Sequence, residues 1–312
     1  MVPGKGIIGL KYLSRKEIEQ IIETAFSMRD VSRRSVKKVP TLRGKTVVNL
    51  FFEASTRTKT SFEIAAKRLS ADVVNFSYTS SSISKGETTI DTAKNIEAMH
   101  PAVFIIRHSS SGVMELLSRH LKTPIISAGD GTNEHPTQGM LDIMTIMDEK
   151  KRIDDLKIVI AGDIYHSRVA RSDIYGMTKL GARVYFFSPP TLITDDFATL
   201  GASITYDAKD AFTDADVIIM LRIQLERQAT GLFPSTREYS RIFGLNAQRL
   251  KLARPDVIVM HPGPVNRGLE LSSSVADDAD HSRILKQVEN GVSIRMSAIY
   301  HTIGEEHGYT DN

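Results

Sequence analysis

The chain contains no cysteine. Disulfides, thiolate nucleophiles and thiolate metal ligands are therefore excluded, and cysteine usage gives no sign of an oxidising compartment. No charge sign dominates either: 40 Lys+Arg stand against 37 Asp+Glu, a formal net charge of +3. That balance is too even for a nucleic-acid footprint, and no run of like charge forms a basic arm. No apolar run approaches the roughly 18 residues needed to cross a bilayer, and Met1-Val2-Pro3-Gly4-Lys5 lacks the apolar core of a signal peptide. The expectation is a cytoplasmic protein with neither nucleic-acid nor membrane partners. The complete P-loop string Gly-x-x-x-x-Gly-Lys-Ser/Thr is missing, which counts against nucleoside triphosphates. Gly-x-Ser-x-Gly is absent, so no nucleophilic triad is supported. His135, His166 and His261 lack a second histidine at i+3 or i+4 and any ligand-spaced carboxylate cluster. No metal and no cofactor are expected.

What is present fits two domains of ordinary size, with 312 residues, 41% hydrophobic and 25% charged. Ser14-Arg15-Lys16-Glu17 reads as a capping box for a helix running to about Met28, followed by a basic connector from Arg33 to Lys38. Apolar runs at 45–51, 71–76, 102–107 and 124–127 read as strands, separated by helical stretches near 57–69, 88–98 and 110–120. An amphipathic stretch from Pro136 to about Lys150 bridges to a second series, with strands near 157–161, 183–187, 202–205, 216–221 and 257–260 and a helix over 168–180. This βαβ rhythm predicts an α/β fold of two doubly wound domains, each a parallel sheet flanked by helices. The expected division is 1–149 and 150–289. The segment at about 279–308 reads as helical, and its part from about 290 to 308 is expected to pack back on the first domain.

In such sheets ligands bind beyond the carboxyl ends of the strands. The residues there are Ser55-Thr56-Arg57-Thr58, Arg107-His108, Gly131 to Gln138, Asp163 to Arg168, Arg222-Ile223-Gln224 and His261-Pro262-Gly263-Pro264. Four of the six clusters contain an arginine in a nearly neutral chain, which implies a polyanionic ligand. The Ser55–Thr58 turn opens a helix, where unsatisfied amides and the macrodipole attract phosphate. Hydroxyls and a guanidinium fork suit its oxygens. The competing reading is an ordinary N-cap, with Ser or Thr accepting from the first turn. Arg107 ends an apolar run and needs a partner, either a bound anion or carbonyl or a neighbouring carboxylate. His135 precedes a proline suited to the first helical turn and on its own reads as a cap or core residue. Gln138, three residues on, offers an amide on the same face. The serine-rich loop 77–87, carrying Ser81 and Lys85, reads either as a surface loop or as a lid that brings Lys85 to an anion.

Taken together, Phe51-Phe52-Glu53-Ala54-Ser55-Thr56-Arg57-Thr58, Ser84-Lys85-Gly86-Glu87, Gly129 through Gln138, Gly162-Asp163 through Ser167-Arg168, Arg222-Ile223-Gln224 and His261-Pro262-Gly263-Pro264 resemble the catalytic chains of the aspartate carbamoyltransferase family. The match runs in order along nearly the whole chain. The resemblance implies carbamoyl transfer from carbamoyl phosphate to L-aspartate in pyrimidine synthesis, by direct attack and without a cofactor. It implies that Ser55, Thr56, Arg57 and Thr58 grip the phosphate, and that Arg107, His135 and Thr58 hold the carbamoyl oxygen. Gln138 and the carbonyls around Pro262, Gly263 and Pro264 would orient the carbamoyl amide. Arg168, Arg222, Gln224 and Lys85 would meet the aspartate carboxylates. Ser81 and Lys85 match loop positions that enter the neighbouring active site of a homotrimer; association with a regulatory chain or a dihydroorotase stays open. Lys59, Gly263 and Val169 depart from residues common in the family. An ornithine-using transcarbamoylase is the nearest alternative, but its cationic substrate calls for acidic partners where this chain has arginines. A non-catalytic chain of the same fold is the other.

Overall fold

The computed structural model describes residues 6–77, 87–223 and 235–304. The chain divides into two units, Met1–Met140 with Glu289–Asn312, and Leu141–Val288. The first contains β1 (Gly6–Ile7), α1 (Arg15–Arg33), β2 (Thr46–Phe51), α2 (Thr56–Arg68), β3 (Asp72–Ser77), α3 (Thr89–Glu97), β4 (Val103–His108), α4 (Val113–His120), β5 (Ile125–Asp130) and the start of α5 (Pro136–Lys150). The second carries β6 (Lys157–Ala161), α6 (Arg168–Lys179), β7 (Arg183–Phe187), β8 (Ser203–Thr205), α7 (Ala208–Phe212), β9 (Val217–Met220), α8 (Thr236–Phe243), α9 (Ala247–Leu250), β10 (Ile258–Met260) and α10 (Ser273–Ala276). A final helix, α11 (Ile284–Gly304), begins there and ends in the first unit.

Each unit has a five-stranded sheet, in the orders β1-β5-β4-β2-β3 and β10-β9-β6-β7-β8. All pairings are parallel. Strands in such sheets are covered on both faces and read as continuous apolar runs, which is why Val47, Val48, Leu50, Phe104, Ile105 and Ile106 are all buried. One core gathers Val48, Leu50, Phe104, Ile106, Met114 and Leu117; the other gathers Val159, Phe187, Phe212, Ile218 and Val259. Both sheets reverse direction of winding once. In the first, β3 lies on one side of β2 while β4 and β5 lie on the other. In the second, β7 and β8 lie on one side of β6 while β9 and β10 lie on the other. These are the two topological switch points.

Three sequence expectations change. The capping box of α1 forms as expected, with Glu17 N–H donating to Ser14 and Ser14 N–H to Glu17. The helix nevertheless continues to Arg33, because Val31 prolongs the buried stripe of Ile18, Ile21, Ile22 and Ala25. The two-residue β1 is too short to show a period and is not expected from the sequence. The last helix starts at Ile284 rather than near 279, since His281 and Arg283 bond instead to β10: Val259 N–H donates to the His281 carbonyl (2.9 Å) and Arg283 N–H to the Val259 carbonyl (2.8 Å). Further on, Ser297 Oγ donates to the Ile21 carbonyl (2.6 Å), and Arg295 donates to Ser61 Oγ (2.9 Å) while its guanidinium lies over the Phe62 ring. Among the described residues no helix is long and apolar enough to cross a membrane.

Candidate active site

At the first switch point β2 runs into Phe52-Glu53-Ala54-Ser55, and α2 begins at Thr56. Ser55 is the N-cap residue by backbone geometry (φ −158°, ψ 91°), yet its hydroxyl accepts nothing from the first turn, and that turn contains no acidic side chain. The ordinary-cap reading of this turn is therefore not what the structure contains. Thr56 and Arg57 are exposed and Thr58 half-buried, at the end of a thirteen-residue helix where amides and dipole favour an anion. Across the switch point, Arg107 lies in register with Phe51. Its Nη1 donates to the Ala128 carbonyl (3.0 Å), and its Nε stands 3.3 Å from Glu53 Oε2. The neighbouring carboxylate weighed from sequence is present as Glu53, and a backbone carbonyl joins it.

The next strand, β5, delivers the loop that carries His135. Asp130, fully buried, accepts from Gly112 N–H (2.8 Å), Asn133 Nδ2 (3.1 Å) and Glu134 N–H (3.3 Å). Burial pushes this carboxyl up to about 6, against the lowering effect of those bonds. Glu134 is equally buried and accepts from Leu10 N–H (2.7 Å) and Lys11 N–H (3.3 Å), 124 and 123 residues earlier. The approach is so close that a Cβ on Gly9 would collide with Glu134 Oε1. His135 follows, its carbonyl accepting from Gln138 N–H (2.9 Å) and Gly139 N–H (3.1 Å), with Pro136 as first residue of α5. His135 and Gln138 are both largely buried, at 5% and 9% exposure. Nearby, His108 Nδ1 accepts from Ser110 N–H (2.9 Å) and burial lowers its pKa.

The second switch point is built from buried charge. Gly162 follows β6 at φ +131°, and a Cβ there would meet the Leu221 carbonyl oxygen, so only glycine fits where β6 and β9 end side by side. Buried Asp163 accepts from His166 N–H (3.2 Å) and faces His166 Nδ1 at 2.9 Å. Ser167 caps α6, accepting from Ala170 N–H (3.1 Å). Arg168 is then the first residue of α6 and only 8% exposed. A buried cation at a helix N-terminus runs against the macrodipole, so its placement favours a negatively charged neighbour. Arg222 lies two residues beyond β9 and is half-buried. Beyond β10, Pro262 and Gly263 are half-buried, Gly263 has φ +69°, and the Gly263–Pro264 bond is cis.

The residues named from sequence thus fall at strand ends of two separate sheets: Ser55, Thr56, Arg57, Thr58, Arg107, His135 and Gln138 on one, and Arg168, Arg222, Pro262, Gly263 and Pro264 on the other. Ser81, Lys85 and Gln224 lie outside the described residues. Glu53, Asp130 and Glu134, which shape the first half, occurred in the sequence only as letters inside motif strings. The partners of Glu53 and Glu134 are distant in the chain, whereas Asp130 bonds to Asn133 and Glu134 in its own loop and to Gly112. Among the described residues no group of three or more His, Asp or Glu is placed to hold a metal ion.

Residues 5–148 match the aspartate/ornithine carbamoyltransferase carbamoyl-P binding domain, and residues 154–302 match the Asp/Orn binding domain of the same family. The chain is 55% identical over 303 residues to the aspartate carbamoyltransferase catalytic subunit of Geotalea daltonii, covering 97% of each chain. It is 57% identical over 298 residues to that of Pelobacter propionicus, covering 95% of this chain and 96% of the other. Among solved structures it resembles the Trypanosoma cruzi aspartate transcarbamoylase in complex with carbamoyl phosphate and aspartate, with a TM-score of 0.84 at 30% identity, covering 95% and 96% of the two chains. The ornithine carbamoyltransferase of Pyrococcus furiosus is also similar, with a TM-score of 0.82 at 28% identity and coverage of 94% and 95%. With both domain models matched and such identity over nearly its full length, the chain belongs to the aspartate/ornithine carbamoyltransferase family, among the aspartate carbamoyltransferase catalytic chains.

Proposed function

We propose that the chain transfers the carbamoyl group of carbamoyl phosphate to the amino group of L-aspartate, giving N-carbamoyl-L-aspartate and phosphate in pyrimidine biosynthesis. The observation that carries this reading is the 55% identity to aspartate carbamoyltransferase catalytic subunits over 97% of the chain. Arginine at both Arg168 and Arg222 supports a dicarboxylate over the cationic side chain of ornithine.

In this reading Ser55, Thr56, Arg57 and Thr58 bind the phosphate of carbamoyl phosphate, supported by the uncapped N-terminus of α2. Arg107, His135 and Thr58 bind the carbamoyl oxygen, where negative charge grows as the amine attacks. Gln138 and the carbonyls of the Pro262-Gly263-Pro264 loop orient the carbamoyl amide. Arg168, Arg222, Gln224 and Lys85 bind the aspartate carboxylates. The amine attacks the carbamoyl carbon, the C–O bond to phosphate breaks, and the departing phosphate accepts the amine proton, so no covalent enzyme intermediate is needed. Positioning contributes about 7–11 kcal/mol and each aimed oxyanion donor about 3–4 kcal/mol, together enough for the acceleration. The protein acts in the cytoplasm as a homotrimer in which Ser81 and Lys85 serve the neighbouring subunit's site.

Two assays test this. Carbamoyl phosphate should be consumed with aspartate and not with ornithine, and a bisubstrate phosphonate-aspartate analogue should block it; absence of aspartate turnover overturns the reading. Mixing inactive Arg57→Ala chains with inactive Lys85→Ala chains should restore part of the activity, since a mixed trimer contains a site with neither lesion. No recovery after verified subunit exchange removes the shared site.

A further inference from the structure

The second unit contains a buried carboxylate, Glu270, that takes no role in the reaction above. It is fully buried, as is His261 at 1% exposure. His261 Nδ1 lies 2.8 Å from Gly263 N. An amide N–H can only donate, so Nδ1 is the acceptor and the ring proton sits on Nε2. That Nε2–H points to Glu270 Oε1 at 3.2 Å. The same oxygen accepts from Asn266 N–H at 2.6 Å. Asn266 in turn donates from Nδ2 to the Ile223 carbonyl at 3.2 Å, one residue from Arg222. From the other side, His261 N–H donates to Gln287 Oε1 (2.9 Å), and Gln287 Nε2 donates to Asp142 Oδ1 (2.7 Å). The Glu270 main chain is itself fixed, its carbonyl accepting from Leu245 N–H at 2.9 Å.

We infer that Glu270 is a positioning residue: through His261 it sets the Pro262-Gly263 carbonyls, and through Asn266 it sets the strand end that carries Arg222. The chemistry is that of a carboxylate orienting an imidazole, which in turn holds a backbone group. A neutral imidazole has one donor and one acceptor, and the two choices of tautomer are opposite in effect. With the proton on Nδ1 the ring would present N–H to the Gly263 N–H, and the loop would lose its anchor. The carboxylate oxygen selects the tautomer that accepts from Gly263. Gly263 has φ +69°, a region where the backbone is held by its surroundings rather than by side-chain sterics, so this one bond governs where the adjacent carbonyls point. The second arm is independent of the imidazole. Asn266 carries the same carboxylate's restraint to the Ile223 carbonyl, and thereby to a residue assigned above to the aspartate carboxylates.

This inference rests on the assignment of the 262–264 carbonyls and Arg222 given above, and its test separates the two. Displacement of a positioned group by about 1 Å costs on the order of 100-fold in rate. Glu270→Leu is expected to lower kcat by about that factor and to raise KM for both substrates by roughly 10-fold. Glu270→Gln, whose carbonyl oxygen can take both donors, should stay within about threefold of wild type in kcat and both KM values. The double variant Glu270→Leu/His261→Phe should be no worse in carbamoyl phosphate KM than Glu270→Leu alone, because both lesions break one chain. Asn266→Ala, at a partly exposed position, tests the second arm without emptying the core. It should raise the aspartate KM roughly fivefold and leave the carbamoyl phosphate KM unchanged. If Glu270→Leu does not fold, the Gln and Asn266→Ala arms still decide. A Glu270→Leu enzyme that melts earlier but keeps kcat and both KM values per folded site overturns the inference. So does an Asn266→Ala enzyme with an unchanged aspartate KM, or a folded Gln variant as impaired as Leu is expected to be. The wild-type enzyme in the same assay is the control: if it turns over carbamoyl phosphate with aspartate while the variants are unaffected, only the role of Glu270 fails.

Discussion

At the switch point between β2 and β4, α2 opens with exposed Thr56 and Arg57, no acidic residue in its first turn and no side-chain cap. At the switch point between β6 and β9, α6 opens with Arg168, which is buried and stands behind a capped N-terminus and the Asp163–His166 pair. The same topology therefore carries two different electrostatic constructions. In the first, the backbone supplies positive potential and exposed side chains add to it, which suits a phosphate arriving from water. In the second, both the backbone dipole and burial oppose the cation, so surrounding polar bonds must hold the guanidinium where the fold alone would not. A site of the first kind depends on few residues. One of the second kind depends on its supports.

The largest expected effect breaks that contrast directly. Arg57→Ala should lower kcat/KM for carbamoyl phosphate by about 1,000-fold while leaving the aspartate KM within about threefold. Arg168→Ala should raise the aspartate KM by about 100-fold or more and leave the carbamoyl phosphate KM within about threefold, the loss of a charge-assisted bidentate contact. Steady-state kinetics with each substrate varied would decide, and two variants damaging the same substrate would end the division of labour.

A smaller effect sharpens the first half alone. His135→Ala should reduce kcat by about 100-fold with the carbamoyl phosphate Kd changed less than about threefold, as for a donor that matters chiefly in the transition state. Equal losses in kcat and in equilibrium binding would assign His135 to ground-state binding instead.

The smallest effect compares one buried acid from each unit. Burial raises Asp130 to about 6, and burial followed by the neighbouring Asp142 raises Asp173 well above the usual carboxylate range. For a carboxyl whose folded pKa exceeds its unfolded value, the unfolded chain releases its proton first as pH rises. Stability therefore falls with pH from the ordinary carboxylate pKa up to the folded one. Asp130→Asn should remove that fall between about pH 4 and pH 6, a change of about 1–2 kcal/mol relative to wild type between urea midpoints at pH 4.5 and pH 7. Asp173→Asn should do the same, with the wild-type slope continuing to higher pH. Identical pH slopes in wild type and variants would show that neither acid is linked to folding.

Much of this architecture is legible in the chain because parallel strands advertise themselves. The runs at Thr46–Phe51 and Val103–His108 are apolar through both faces, and helix starts such as Ser14 to Glu17 carry their own capping residues. The strand Gly6–Ile7 is too short to have a period; it exists only because Ile125 and Ile126 lie beside it. Likewise His281 to Arg283 bond to β10 through main-chain groups whose partner, Val259, lies more than twenty residues away. In the candidate site the strand-end residues were readable from chemistry and position, since arginines are out of place at the ends of apolar runs. Glu134 and Glu270 were not. Glu134 has its meaning in amides far along the chain, and Glu270 in a folded-back loop whose bonds to Asn266 and His261 follow no periodic pattern.

The carboxylate of Glu134 joins Leu10 and Lys11 to the residue immediately before His135. For anyone engineering the amino end, this turns a peripheral segment into a structural tether of the imidazole. A deletion through residues 6–12 that removes only a two-residue strand and one turn would release a buried acid, slacken the loop behind it and reach the chemistry from the outside. Fusion partners that pull on that segment would do the same.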